Sequence, residues 1–245
     1  MKNAKFSVGF AETQEELLGA YKLRYEDLVL SYREDNVTEL GYDTNEYDEY
    51  AKHIIVKEVE TGEIVGYYRM IESGDIPQGK GFVCEEEYQF DSLKRSGEKI
   101  CEFSRAVVKK EYRGGVVLLM LWKFIMGYML SNGVRYMIGD ASFYGTDRDV
   151  YVKQISYLVN NYAIDPSLNI RSKDTLPPME LVSTDGLNER EMLNSLPPLI
   201  KAYVTIGAHI SHETFTDTVF GSVDVFILVD LHHYNEAYVK RILAF

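Results

Sequence analysis

Two ionisable residues, Glu102 and Arg105, stand three positions apart inside the apolar run I-C-E-F-S-R-A-V-V (100–108). A basic, glycine-containing turn, K-K-E-Y-R-G-G (109–115), follows at once and leads into a long apolar stretch. An unpaired buried charge costs several kcal/mol, so charges in such a strand must be paired or used. The turn would aim backbone N–H groups and a helix N-terminus at an anion. Lys109, Lys110, Arg113, Gly114 and Gly115 are therefore candidates for holding a phosphate-bearing group; the plain alternative is an ordinary strand–helix turn. Charge in a strand beside an anion-binding turn points to acyl transfer from a phosphate-bearing carrier.

Residues three apart in a regular strand face opposite sides. Glu102 and Arg105 can share a site only if a bulge shifts the parity by one residue, and bulges gather beside active sites. A bulge is therefore expected. The structural alternative pairs Arg105 with a neighbouring strand and leaves Glu102 at a solvated edge. In the functional reading Glu102 is a base or an anchor for an attacking amine, and Arg105 binds a carboxylate or organises an acidic loop.

That loop is G-Y-D-T-N-E-Y-D-E-Y (41–50), which carries Asp43, Glu46, Asp48 and Glu49 interleaved with Tyr42, Tyr47 and Tyr50. Acidic runs are usually solvated. Here the rings are expected to fold the loop back and bury some carboxylates, Asp48 among them. The run leads into His53 at a strand start, either a base or a satisfied histidine at a sheet edge. Arg69, in V-G-Y-Y-R-M-I (65–71), is placed to clamp a carboxylate.

These side chains need rigid elements. Thr13 and Glu16 form a capping-box pattern that opens a helix over about 14–31, with Leu17, Leu18, Tyr21, Tyr25 and Leu28 on one face. Residues 32–50 read as a long loop. Residues 53–59 and 63–71 read as strands joined at Thr61-Gly62, and 73–96 as irregular. A strand over 101–108, a helix over 115–130, a strand over 134–140 and a helix over 147–161 follow. A loop over 165–178, a short helix opened by Pro197-Pro198, a strand over 222–229 and a helix over 233–243 complete the chain. The expected architecture is a single α/β domain, residues 1–245, with one central mixed sheet.

Composition excludes several classes. The 245 residues are 46% hydrophobic and 13% aromatic, enough for a sizeable core. A net charge of −12 argues against nucleic acid as a partner and against a strong electrostatic hold on anionic lipid. The two cysteines, Cys84 and Cys101, give neither metal spacing nor a disulfide framework. There is no secretory leader pattern at the start, and no uncharged apolar run reaches about 18 residues. A cytoplasmic protein is expected. Nucleophile-elbow, P-loop and dinucleotide-binding motifs are absent.

Eight ordered segments carry a resemblance. They are Y-K-L-R-Y-E (21–26), Y-D-E-Y-A-K-H-I-I-V (47–56), V-G-Y-Y-R-M-I (65–71) and C-E-F-S-R-A-V-V-K-K-E-Y-R-G-G (101–115), then L-L-M-L-W (118–122), I-G-D-A-S-F-Y-G (138–145), L-P-P-L-I-K-A-Y-V-T-I-G-A (196–208) and V-D-V-F-I-L-V (223–229). Together they resemble the ornithine-lipid N-acyltransferases, a GNAT-like group often labelled hemolysin-like. More distantly they resemble the acyl-homoserine lactone synthases. The resemblance implies a GNAT-like fold with a mostly antiparallel, splayed sheet flanked by helices. It implies transfer of a long, often 3-hydroxylated acyl chain from the phosphopantetheine arm of acyl carrier protein to an amino-acid amine, with acyl-CoA as the alternative donor.

By the same resemblance Arg24, Asp48, His53, Arg69, Glu102 and Arg105 match the polar core, and Ser142 falls with the substrate-binding residues. The Arg113-Gly114-Gly115 turn matches the place where the pantetheine arm binds. Asn45 stands where the lactone synthases usually have an aspartate, which disfavours a lactone product. Asp140 stands where the ornithine-lipid enzymes often carry a cysteine or small residue, so glycine, lysine, ornithine and aromatic amino acids stay open as acceptors.

The chemistry needs a base, for which Glu102, Asp48 and His53 are the candidates. It calls for no metal and no bound cofactor. The expected partners are acyl carrier protein and the amino-acid acceptor, with contact at the inner membrane face when product leaves. The competing readings are a GNAT enzyme using acetyl- or acyl-CoA on a small amine, a non-catalytic acyl-carrier or lipid binder, and a pore-former.

Overall fold

The computed structural model describes residues 4–32 and 39–245. In chain order the elements are β1 (Phe6–Phe10), α1 (Gln14–Arg24), α2 (Leu30–Tyr32), β2 (Lys52–Glu58), β3 (Ile64–Glu72), β4 (Tyr88–Gln89), α3 (Asp91–Lys94), β5 (Ile100–Val108) and α4 (Val116–Ser131). They continue with β6 (Tyr136–Tyr144), α5 (Val152–Tyr162), β7 (Arg171–Ser172), α6 (Glu189–Ser195), α7 (Pro198–Ile206), β8 (His209–Asp217), β9 (Ser222–Asp230) and α8 (Glu236–Ala244). The described residues gather into two compact units. The first comprises Met1–Lys80, Cys101–Gly133 and Val239–Phe245; the second comprises Gly81–Ile100 and Val134–Tyr238.

In the first unit β1, β2, β3 and β5 pair as antiparallel neighbours in that order. His53 pairs with Arg69 and Arg69 with Ser104, while Ile55 pairs with Tyr67 and Tyr67 with Val107. Paired residues share a face, so all six side chains lie on one side of the sheet. Helix α1 covers the apolar half of that side, where Ala20 and Leu23 cluster with Ile55, Tyr67 and Val107. Burial of each larger aliphatic side chain there, Leu23, Ile55 and Val107, stabilises the unit by about 1.5–3 kcal/mol. Thr13 and Glu16 form the expected capping box and fix where α1 begins.

Helix α4 covers the opposite side, with Trp122 edge-on to Tyr68 and Phe124 edge-on to Phe10. Its approach depends on Gly66, because a Cβ there would lie 2.5 Å from Cγ1 of Val117 and 3.3 Å from Cβ of Val56. Gly66→Ala is expected to cost about 1–3 kcal/mol through overpacking, read as a lower urea midpoint with an unchanged slope.

The expected 14–31 helix runs as α1, then a π-helical turn over Tyr25–Val29, then α2. Residues 33–38 of the expected long loop lie outside the described residues. The rest of that loop holds a 3₁₀ turn over Glu46–Glu49.

In the second unit β6, β9 and β8 pair antiparallel, with Ser142 opposite Asp224 and Asp224 opposite Phe215. A two-stranded ribbon pairs Tyr88 with Ser172. The rings of Tyr88 and Phe90 lie 5.5 and 5.2 Å from that of Phe226. The sequence reading did not anticipate β8, α6 or the β4–β7 ribbon. The register of β8 shifts between Ile210 and Thr214, which breaks the alternation a strand would otherwise display.

Candidate active site

The polar cluster sits on the α1 side of the first unit's sheet, beyond the apolar row. Arg24, the last residue of α1, is fully buried. Its Nε donates to Oδ2 of Asp43 at 2.8 Å, and its Nη1 donates to Oδ1 of Asp48 at 2.7 Å. Arg69, on β3 and also fully buried, donates from Nε to Oγ of Ser104 at 2.9 Å. Its Nη1 donates to Oδ1 of Asn45 at 2.7 Å and to Oδ1 of Asp48 at 3.2 Å. One aspartate oxygen therefore receives both guanidiniums. The other oxygen, Oδ2, accepts from the backbone N–H of Asn45 at 2.8 Å and from Oγ1 of Thr44 at 3.2 Å. Burial alone would raise the Asp48 carboxyl, but Arg24 and Arg69 outweigh it and hold the group below its usual range.

Aromatic faces complete the arginine shells. The Arg24 guanidinium lies 5.3 Å from the Tyr21 ring and 5.5 Å from that of Tyr67, and the Arg69 guanidinium lies 5.6 Å from Tyr47. The Nη2 of Arg69 is buried and, among the described residues, has no hydrogen-bond partner. Such an orphaned donor is costly in an interior unless something meets it.

The expected bulge is present in β5. Two steps along β3, from Tyr67 to Arg69, match three steps along β5, from Val107 to Ser104. Arg105 takes a left-handed backbone, φ 58°, and its Nε lies 3.6 Å from Oδ2 of Asp43. Glu102 is 1% exposed and pairs with Ile71, so it shares a sheet face with Ser104 and Arg69. The bulge brings Arg105 to the same cluster.

His53 is held at both nitrogens. Nδ1 lies 2.8 Å from the hydroxyl of Tyr67, and Nε2 lies 3.2 Å from the carbonyl oxygen of Asp48. A carbonyl can only accept, so Nε2 carries the proton and Nδ1 accepts from Tyr67. The ring thus straps the Asp48 backbone to the sheet. Burial, with Arg24 and Arg69 close by, holds His53 below its ordinary value of 6.5. The unfolded chain therefore takes up a proton as pH falls through 6.5 before the native state does. The stability His53 contributes is full above that value and declines below it. His53→Gln should flatten this part of the profile in thermal melts between about pH 5 and 8. A slope equal to that of the wild type would show that His53 does not titrate in this way.

The turn after β5 is stapled to the π-helical segment. Arg113 donates from Nε to the carbonyl of Val108 at 3.0 Å and from Nη2 to the carbonyl of Asp27 at 2.9 Å, and the Lys110 N–H donates to Oδ1 of Asp27 at 3.0 Å. The side chain of Lys109 pairs with Glu63. Gly114 adopts φ +74°, which suits glycine, and Gly115 opens α4 with no side-chain cap. Much of the turn's positive charge is thus already countered locally.

Of the residues singled out from sequence, Arg24, Asp48, His53, Arg69 and Arg105 come together in one cluster, with Glu102 on the same face of β5. Ser142 is half-buried on β6 in the second unit. Tyr67 and Ser104 are not singled out by the sequence, and Asn45 is singled out there only for the aspartate it replaces. Tyr67 and Ser104 could have been found by stepping two residues along a strand from Arg69 and from Glu102.

Residues 23–123 match the acetyltransferase (GNAT) domain family. The chain is 27% identical to the L-ornithine N(alpha)-acyltransferase of Rhodobacter capsulatus over 257 aligned positions, covering 97% of this chain and 96% of that one. It is 25% identical to the enzyme of the same name from Rhizobium meliloti, covering 97% and 84%. Among solved structures, the CoA-dependent acyl-homoserine lactone synthase BjaI superposes with a TM-score of 0.52 at 13% identity, over 94% of this chain and 81% of that one. The fold is GNAT-like α/β, as expected.

Proposed function

We propose that the protein is an N-acyltransferase that moves a long acyl chain from acyl carrier protein to the α-amine of an amino acid, ornithine first among the acceptors. The observation that carries this reading is the buried Nη2 of Arg69, which has no hydrogen-bond partner among the described residues, while Nε and Nη1 of the same guanidinium hold Ser104, Asn45 and Asp48. An amino acid brings a carboxylate to it, and an arginine fork suits that group. The chain's likeness to ornithine acyltransferases supports the choice of acceptor.

In the reaction the free amine attacks the thioester carbon. A C–N bond forms, the C–S bond breaks, and the thiolate leaves. Glu102 accepts the proton that the amine sheds, and that proton passes to the departing sulfur. We assign the base to Glu102, which is buried on β5 on the same sheet face as Arg69; Asp48 bridges two arginines, and His53 straps the Asp48 backbone to the sheet. Ser142 is read as a substrate contact; the Arg113-Gly114-Gly115 turn, with Lys109 and Lys110, is read as the contact of the pantetheine arm. Among the described residues no helix is long and apolar enough to cross a membrane.

The test is mass spectrometry of products from purified protein given long-chain acyl carrier protein, long-chain acyl-CoA or acetyl-CoA with a panel of amino acids. The expected result is an N-acyl amino acid formed fastest from acyl carrier protein and ornithine. Faster acetyl transfer to simple amines would replace this reading with an ordinary acetyl-CoA enzyme.

A further inference from the structure

A second cluster of carboxylates lies inside the Gly81–Ile100, Val134–Tyr238 unit and plays no part in the reading above. One oxygen each of Glu87, Asp217 and Asp224 lies within 4.8 Å of the other two. Asp224, in the middle of β9, is 3% exposed. Its Oδ2 accepts from Oγ of Ser222 at 3.0 Å, whereas its Oδ1 is buried and has no hydrogen-bond partner among the described residues. The groups acting on Asp224 are Ser142, Ser222 and Asp217, with no Lys, Arg or His among them. Burial, with Asp217 adding to it, pushes this carboxyl up to about 6.

All three residues stand on fixed backbone. Asp217 ends β8, and its Oδ1 accepts the N–H groups of Val219 and Phe220, each at 2.7 Å. Asp224 is held in the β6–β9–β8 ladder. Glu87 donates its N–H to the carbonyl of Cys84 at 3.3 Å and accepts at its own carbonyl from Lys173 at 2.7 Å. Carboxylates this close repel one another, and a cation that joins them would offset the cost of burying Asp224. Serine hydroxyls beside carboxylates make an all-oxygen donor set without thiolate or imidazole, which suits hard cations rather than zinc or copper.

We propose that Glu87, Asp217 and Asp224 form a binding site for a hard divalent cation of the Mg²⁺/Ca²⁺ class, which ties the turn carrying Glu87 to the β8–β9 hairpin. The site neighbours Ser142, which the acyl-transfer reading uses, but the proposal does not depend on that reading.

The test uses the full chain after treatment with a chelator. Ca²⁺, Mg²⁺ and Mn²⁺ are titrated separately while Tm is followed, and Tb³⁺ is titrated while its luminescence is excited through tyrosine, Tyr88 being a neighbour of Asp224. The expected result is saturable one-to-one binding with a raised Tm, and displacement of Tb³⁺ by at least one of the three ions. Asp224→Asn should weaken binding by at least about 100-fold, since even indirect partners of a metal carry 10–100-fold. Glu87→Gln, at the half-exposed side, should weaken it by about 10-fold or more and keeps the test decisive if Asp224→Asn does not fold. Glu180→Gln, an exposed acid outside the cluster, should bind as the wild type does. A wild type without saturable binding at millimolar ion overturns the proposal, and so does equal affinity in Glu87→Gln and the wild type.

Discussion

Asp48→Asn is expected to lower the unfolding free energy by about 3–5 kcal/mol, the usual cost of removing one partner from a buried ion pair. Among the described residues Asp48 alone receives both Arg24 and Arg69 on a single oxygen, and its side chain is 3% exposed. The amide keeps the shape but removes the charge that holds two fully buried guanidiniums together. Urea denaturation should place the midpoint well below that of the wild type. Asp43→Asn is the comparison, because Asp43 is 17% exposed and water can take over part of its role. A loss below about 1 kcal/mol for Asp48→Asn, the range of an exposed pair, would mean that the cluster does not depend on this carboxylate.

Glu102→Gln is expected to do the opposite: to leave the fold intact and to lower turnover by roughly 10²-fold or more, the range for loss of a general base. The amide is nearly isosteric, and Glu102 lies outside the two-arginine bridge at Asp48. The KM for the amino acid should change little if Arg69 and its neighbours hold the acceptor carboxylate. Turnover equal to that of the wild type at every pH would pass the role of base to another group. The two substitutions therefore separate the part of the cluster that holds its shape from the part assigned to proton transfer.

Much of this cluster was legible in the chain because its residues announce themselves against their surroundings. Glu102 and Arg69 are charges inside strands, and Asp48 is an acid among tyrosines. The bulge followed from parity alone, since Glu102 and Arg105 could share a face in no other way. Tyr67 and Ser104 were hidden because neither residue type is out of place in a strand, and only pairing with partners far along the chain reveals their role. Strand β8 was hidden for a related reason: its bulge scrambles the alternation that marks a strand. The charge balance at the 109–115 turn was invisible as well, because Asp27 and Glu63 lie far from it in sequence.

The left-handed backbone at Arg105, φ 58°, has a bearing on how this protein can change. Holding a non-glycine residue there costs about 1–3 kcal/mol, and glycine or asparagine would relieve much of that cost. A population of variants sorted by heat resistance alone would gather such replacements at position 105. On the proposed function, a population sorted by turnover would purge them, because neither carries a guanidinium to Asp43. On that function, selection for robustness and selection for turnover pull in opposite directions at this one position.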